Sequence, residues 1–138
     1  MAAVVAGCGG DGGSDRLSTA EFRQQANAIC GEFDAKIAAI GAPTSPEDIP
    51  EFVEKGIPLI QQGLAELRAL NPPEELEADY NRMLDETAKA IPAARKLADA
   101  AAKQDAAAVQ EALQEGEEAD AESDRLATKL GLDRCAAE

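Results

Sequence analysis

The chain has 138 residues, enough for one small domain, and 45% of them are hydrophobic. It carries 13 basic against 27 acidic residues, a formal net charge of −14. That balance excludes a nucleic-acid partner, which needs a positive footprint, and excludes docking on anionic lipid by charge alone.

At the N-terminus, Val5-Ala6-Gly7-Cys8 sets an aliphatic residue and two small residues before a cysteine. Gly9-Gly10-Asp11-Gly12-Gly13-Ser14-Asp15 follows at once. The four residues resemble the lipobox of bacterial lipoproteins, whose pattern is aliphatic–small–small–Cys. The resemblance implies a diacylglycerol (palmitate-type) anchor on the Cys8 thiol, cleavage just before Cys8, and attachment to the extracytoplasmic face of a cell membrane. Ala6 and Gly7 would leave room for the enzymes that hold the extended backbone there. A signal peptide normally supplies a basic flank and an apolar stretch of about 7–15 residues. Before Cys8 stand only seven residues, none of them Lys or Arg. The expectation is therefore a truncated signal-peptide remnant over 1–7, a lipidated cysteine and Gly-rich tether over 8–17, and a folded body over 18–138. The competing reading is a short disordered tail with an incidental cysteine.

Beyond the tether the apolar residues recur at helical spacing in four segments, and no stretch alternates as a strand does. Ser18 with Glu21 three residues later predicts a capping box, with Leu17 as its hydrophobic staple. Phe22, Ala26, Ile29, Phe33, Ile37 and Ile40 form the stripe of that first helix, which Gly41-Ala42-Pro43 ends. Ser45-Pro46-Glu47-Asp48 and Ile49-Pro50-Glu51 are overlapping start signals, met by a short turn that runs into a longer helix. Its inner face is Val53, Ile57, Ile60, Leu64, Leu67 and Leu70. Pro58 lies inside and predicts a kink, because it removes a donor and crowds the Glu54 carbonyl.

The third helix is expected from Pro73, with Glu74, Glu75 and Glu77 favourably placed in its first turn. Leu76, Tyr80, Met83, Leu84, Thr87, Ile91, Ala94 and Leu97 mark its inner face, and Pro92 repeats the interruption. Asp105 is the expected cap of a fourth helix over 106–130, with Val109, Ala112, Leu113, Gly116, Ala119, Ser123, Leu126 and Leu130 inward. Gly131 and Leu132 supply its C-terminal stop. Short connections predict an all-α, up-down-up-down antiparallel four-helix bundle with Pro-kinked second and third helices.

With Cys8 lipidated, Cys30 and Cys135 remain. Outside the cytoplasm two thiols in one small domain are expected to pair, whereas in a cytosolic protein both would stay reduced and buried. In an up-down bundle the pairing demands either that helix one overhang helix four, or that the tail from Leu132 fold back along helix one. A cysteine late in a Phe-containing first helix (Phe22, Ile29-Cys30), Pro72-Pro73, and Leu130-Gly131-Leu132 with Cys135 after it are together similar to the small lipid-anchored or secreted helical proteins common in actinobacteria. That resemblance implies no molecular activity.

Chemistry-bearing patterns are scarce. There is no histidine, no CxxC, no phosphate-binding Gly-rich loop and no nucleophile elbow, so no catalytic residue, cofactor or metal is expected and the chain is read as no enzyme. The acidic run from Glu115 to Asp124 lacks the spacing of a calcium loop, and carboxylates on one straight helix splay apart. It reads as a solvated face, or else as a weak cation binder. Like charges four apart at Glu111/Glu115, Glu118/Glu122 and Asp120/Asp124 are expected to repel and to raise their carboxyl pKa values. Tyr80 and Met83, with Pro58 and Pro92, could border a groove between bent helices, or could simply pack. The functional expectation is a non-enzymatic envelope module that binds an unidentified envelope protein or ligand. The alternative is a carrier of a small molecule or lipid in such a groove.

Overall fold

A computed structural model describes residues 15–136. Over them the protein is all-helical, with four α-helices and no strand. Local chemistry sets each start. Ser18 Oγ accepts from the Glu21 amide while the Glu21 carboxylate accepts from the Ser18 amide, so the expected capping box opens α1, Thr19–Ala38. Asp48 accepts from the Thr44 and Ser45 amides and closes a 3-10 turn, Pro46–Asp48. That turn runs straight into α2, Ile49–Arg68. The third helix, α3, spans Glu74–Ala102, with Pro73 one position earlier than expected, at the N-cap.

Gln104 takes a left-handed φ of 56° and turns the chain, and Asp105 then caps α4, Ala106–Leu130, by accepting from the Ala108 amide. Gly131 ends α4 at φ 76°, a conformation glycine adopts without the Cβ penalty. The Leu132 amide donates back to the Ala127 carbonyl, and a 3-10 turn, Asp133–Cys135, follows.

The core is uneven along the helices. At one end the large side chains gather: Phe22, Leu64, Leu67, Tyr80, Leu126 and Leu130 are all buried together. Each such burial is worth about 1.5–3 kcal/mol. The Phe22 and Tyr80 rings meet edge to face, with centroids 4.8 Å apart. The Tyr80 hydroxyl donates to the Leu67 carbonyl at 2.7 Å, which satisfies the one polar atom this ring brings into the core. Toward the other end α2 brings Val53 and Ile57, but the buried residues of α3 and α4 are small: Ala93, Ala100, Ala101, Ala112 and Ala119. These alanines let α3 and α4 pack against each other more extensively than any other pair.

Ion pairs stitch the same two helices at Asp79–Lys129, Arg82–Glu122 and Lys96–Glu115. The α3 partner advances as the α4 partner recedes, so this pair runs in opposite directions. One inner-face expectation needs correction. Leu113 is 44% exposed. Ala127, Ala93, Ala100 and Ala101 are buried instead, because tight helix packing selects residues by size as much as by hydrophobicity.

Candidate functional site

α1 is held differently from the other helices. Its close backbone neighbours are α2 and the terminal turn. Gly63 lets Phe33 lie against α2: a Cβ there would stand 3.1 Å from the ring. Cys30 and Cys135 form a disulfide across a sequence separation of 105. Of the two arrangements open to the sequence, the tail folding back along helix one is the one adopted, since the turn carrying Cys135 packs on α1.

Side chains of α1 then grip that tail. Arg23 Nε donates to the Leu130 carbonyl at 2.8 Å. The Asn27 side-chain amide donates to the Gly131 carbonyl and accepts from the Arg134 amide. Leu132 is fully buried behind these bonds.

Because α1 leans on α2 and on the tail, a hollow of about 610 Å³ is left on the side facing α4. Ile37 of α1, Ile60 of α2 and Ala90 of α3 line it, and all three are only half-buried. Thr87 and Ser123 line it as a hydroxyl pair 2.7 Å apart. The Thr87 hydroxyl already donates to the Met83 carbonyl, so the shared proton comes from Ser123. Four carboxylates edge the opening: Asp34 from α1, Asp120 and Asp124 from α4, and Asp133 from the terminal turn. Arg134 is the one cation among the described lining residues, and its guanidinium lies across Gly31. Desolvation, and then the neighbouring Asp124, push the Asp120 carboxyl above its usual range. Cys135 and Ala136 wall one part of the hollow beside the disulfide.

The residues singled out from the sequence do not converge. Cys8, the 1–7 segment and the tether as far as Ser14 lie outside the described residues. Arg16 and Leu17, assigned above to the tether, are docked. Arg16 pairs with Glu77 at 2.9 Å and donates to the Pro72 carbonyl, and the Leu17 amide donates to the Asn71 carbonyl. Tyr80 and Met83 sit in the core, 1% and 2% exposed, where burial pushes the Tyr80 phenol well above its ordinary value. Pro58 and Pro92 are exposed and edge two separate shallow hollows of about 460 and 380 Å³. The four therefore do not share a groove.

The acidic run of α4 is not uniformly solvated either. Glu115 pairs with Lys96, and Glu122 pairs with both Arg82 and Arg125. The Arg125 hydrogen bond holds the Glu122 carboxyl below its ordinary value, opposite to the rise expected from repulsion. Asp120 does show the expected rise. Among the described residues no group of three His, Cys, Asp or Glu side chains is placed to hold a metal ion, and no helix is long and apolar enough to cross a membrane. The hollow between α1 and α4 was missed from the sequence because its carboxylates come from three separate segments with no common period. No protein-family model, no curated protein and no solved structure matches this chain.

Proposed function

We propose that the protein is a non-enzymatic binding module of the cell envelope, anchored on the extracytoplasmic face of a membrane through lipid on Cys8. The observation that carries this reading is the Cys30–Cys135 disulfide. Structural disulfides persist in oxidising compartments and are rare in the cytosol, so the bond agrees with the export implied by the lipobox-like Val5-Ala6-Gly7-Cys8. An up-down-up-down antiparallel course, with α2 and α3 bent at Pro58 and Pro92, belongs to the same proposal. Short connections and the lost proline donors support it.

Anchoring is tested in the native host by metabolic labelling with palmitate from the gene's own locus. The wild type should carry label and sediment with membranes, and Cys8→Ala should lose both. Equal labelling of the two overturns the anchor.

A second reading, a carrier of a small molecule, is supported by the hollow of about 610 Å³, a volume within the range of small-ligand sites. Native mass spectrometry of protein taken from its own host separates the readings. A co-purifying small molecule favours the carrier, and a bare chain favours the interaction module.

A further inference from the structure

We propose that the hollow between α1 and α4 is a binding site for a cationic amphiphile, an ammonium or guanidinium group carried on a short apolar body. The inference rests on reading the chain as a binding module, and not on its anchor. The shape of the site comes first. α1 is fastened to α2 and to the tail, so its flank toward α4 has no helix packed along it. Ile37, Ile60 and Ala90 of three different helices present half-buried apolar surface to that space. Covering such surface is favourable for any ligand with a hydrocarbon body.

The rim then selects the sign of the head group. Asp34, Asp120, Asp124 and Asp133 line the hollow, with Arg134 the one cation among the described lining residues. Asp34 and Asp124 already interact within the protein, so the head group falls to Asp120 and Asp133. Ionised carboxylates only accept hydrogen bonds, which suits an N–H-rich cation. A concave site with low-dielectric walls also focuses their potential, so an acid or a phosphate would be repelled. The hydroxyls of Thr87 and Ser123 offer such an acid little, since both protons are already committed inside the protein. The raised carboxyl of Asp120 agrees with negative charge crowded on desolvating walls, which a bound cation would relieve.

A bare metal ion is a poor fit. It would need several oxygens converging at one point, and no group of three metal-ligating side chains is so arranged among the described residues. The cation that suits this site is large, and most of its contact is hydrocarbon.

The test uses octylguanidinium, with octanoate and octanol as probes of the same chain length, each titrated into the oxidised full chain and followed by amide chemical shifts. Octylguanidinium should saturate at one per chain, with shifts centred on Ile37, Ile60 and Ala90. Asp120→Asn combined with Asp133→Asn should weaken it about three- to tenfold, as loss of two partly exposed ion pairs would. Ala90→Met, which fills the hollow, should abolish the shifts; if that variant does not fold, the double Asp variant decides alone. Octanol or octanoate binding as tightly as octylguanidinium overturns the proposal. So does an absence of saturable binding at about 5 mM, a level at which even millimolar affinity is visible. A failed titration leaves palmitate labelling of Cys8 untouched, and a missing label leaves the titration untouched, so the two readings fail separately.

Discussion

The two ends of the helices are held by different physics. At the end that holds Phe22, Leu67, Tyr80 and Leu130, all four helices contribute large side chains to one cluster. Toward Ala100 and Ala112, the buried residues of α3 and α4 are small, α2 adds only Val53 and Ile57, and cohesion comes from extensive α3–α4 packing plus ion pairs such as Lys96–Glu115. α1 belongs mainly to the first end. Beyond Phe33, Ile37 and Ile40 do not join that cluster, and Ile37 lines the hollow instead. The helix held by fasteners borders the hollow of about 610 Å³, whereas beside the alanine-packed faces of α3 and α4 the hollows are smaller, about 380 and 280 Å³.

The strongest way to break this comparison is Cys135→Ala. Removing a native disulfide from a small domain costs about 2–5 kcal/mol. Hydrogen exchange should show protection lost first in α1 and the terminal turn, with the α3–α4 pair retained. Equal loss across all four helices would mean that the bundle is one cooperative unit and the distinction between its ends is empty.

Ala112→Leu probes the opposite end. Ala112 is 3% exposed between closely packed helices, so the added carbons should cost about 1–3 kcal/mol, read as a lower midpoint in urea. Cys30 and Cys135 should stay bridged in this variant. An unchanged midpoint would mean that α3 and α4 have space between them.

The smallest effects sharpen the electrostatic contrast within α4. The Asp120 carboxyl is raised from 3.8, so its charge opposes folding at neutral pH, and that penalty fades as pH falls through the raised value. The Glu122 carboxyl is lowered from 4.5, so its contribution is present above 4.5 and is lost as pH falls through the lowered value. Asp120→Asn should therefore raise the melting temperature slightly at pH 7, and Glu122→Gln should lower it slightly. Both differences should shrink toward pH 3, and circular dichroism melts check them. Shifts of the same sign for both variants would refute the contrast.

The helix boundaries were legible because local chemistry writes them. Ser18 with Glu21, Asp105, and Gly131 with Leu132 each act within a few residues of chain. Pairing of Cys30 with Cys135 was legible from count and compartment, though not the route by which the tail reaches α1. The hollow was not legible. Asp34, Asp120 and Asp133 lie far apart in sequence, and only the lean of α1 toward α2 brings them round one opening. Pro58 and Pro92 misled for the converse reason: a proline inside a helix is conspicuous in sequence, yet both rings face solvent beside separate shallow depressions.

The disulfide also decides how the molecule would respond to tension. A pull applied to its two ends enters α1, reaches Cys30, and crosses the covalent bond directly to Cys135. The loop between them, a sequence separation of 105, carries no load, so α2, α3 and α4 are mechanically bypassed. Only the residues outside the loop can lengthen, by at most about 3.3–3.6 Å each. Under a drag that would unravel an unbridged bundle, the helical body of this protein would stretch by the early turns of α1 and then stop.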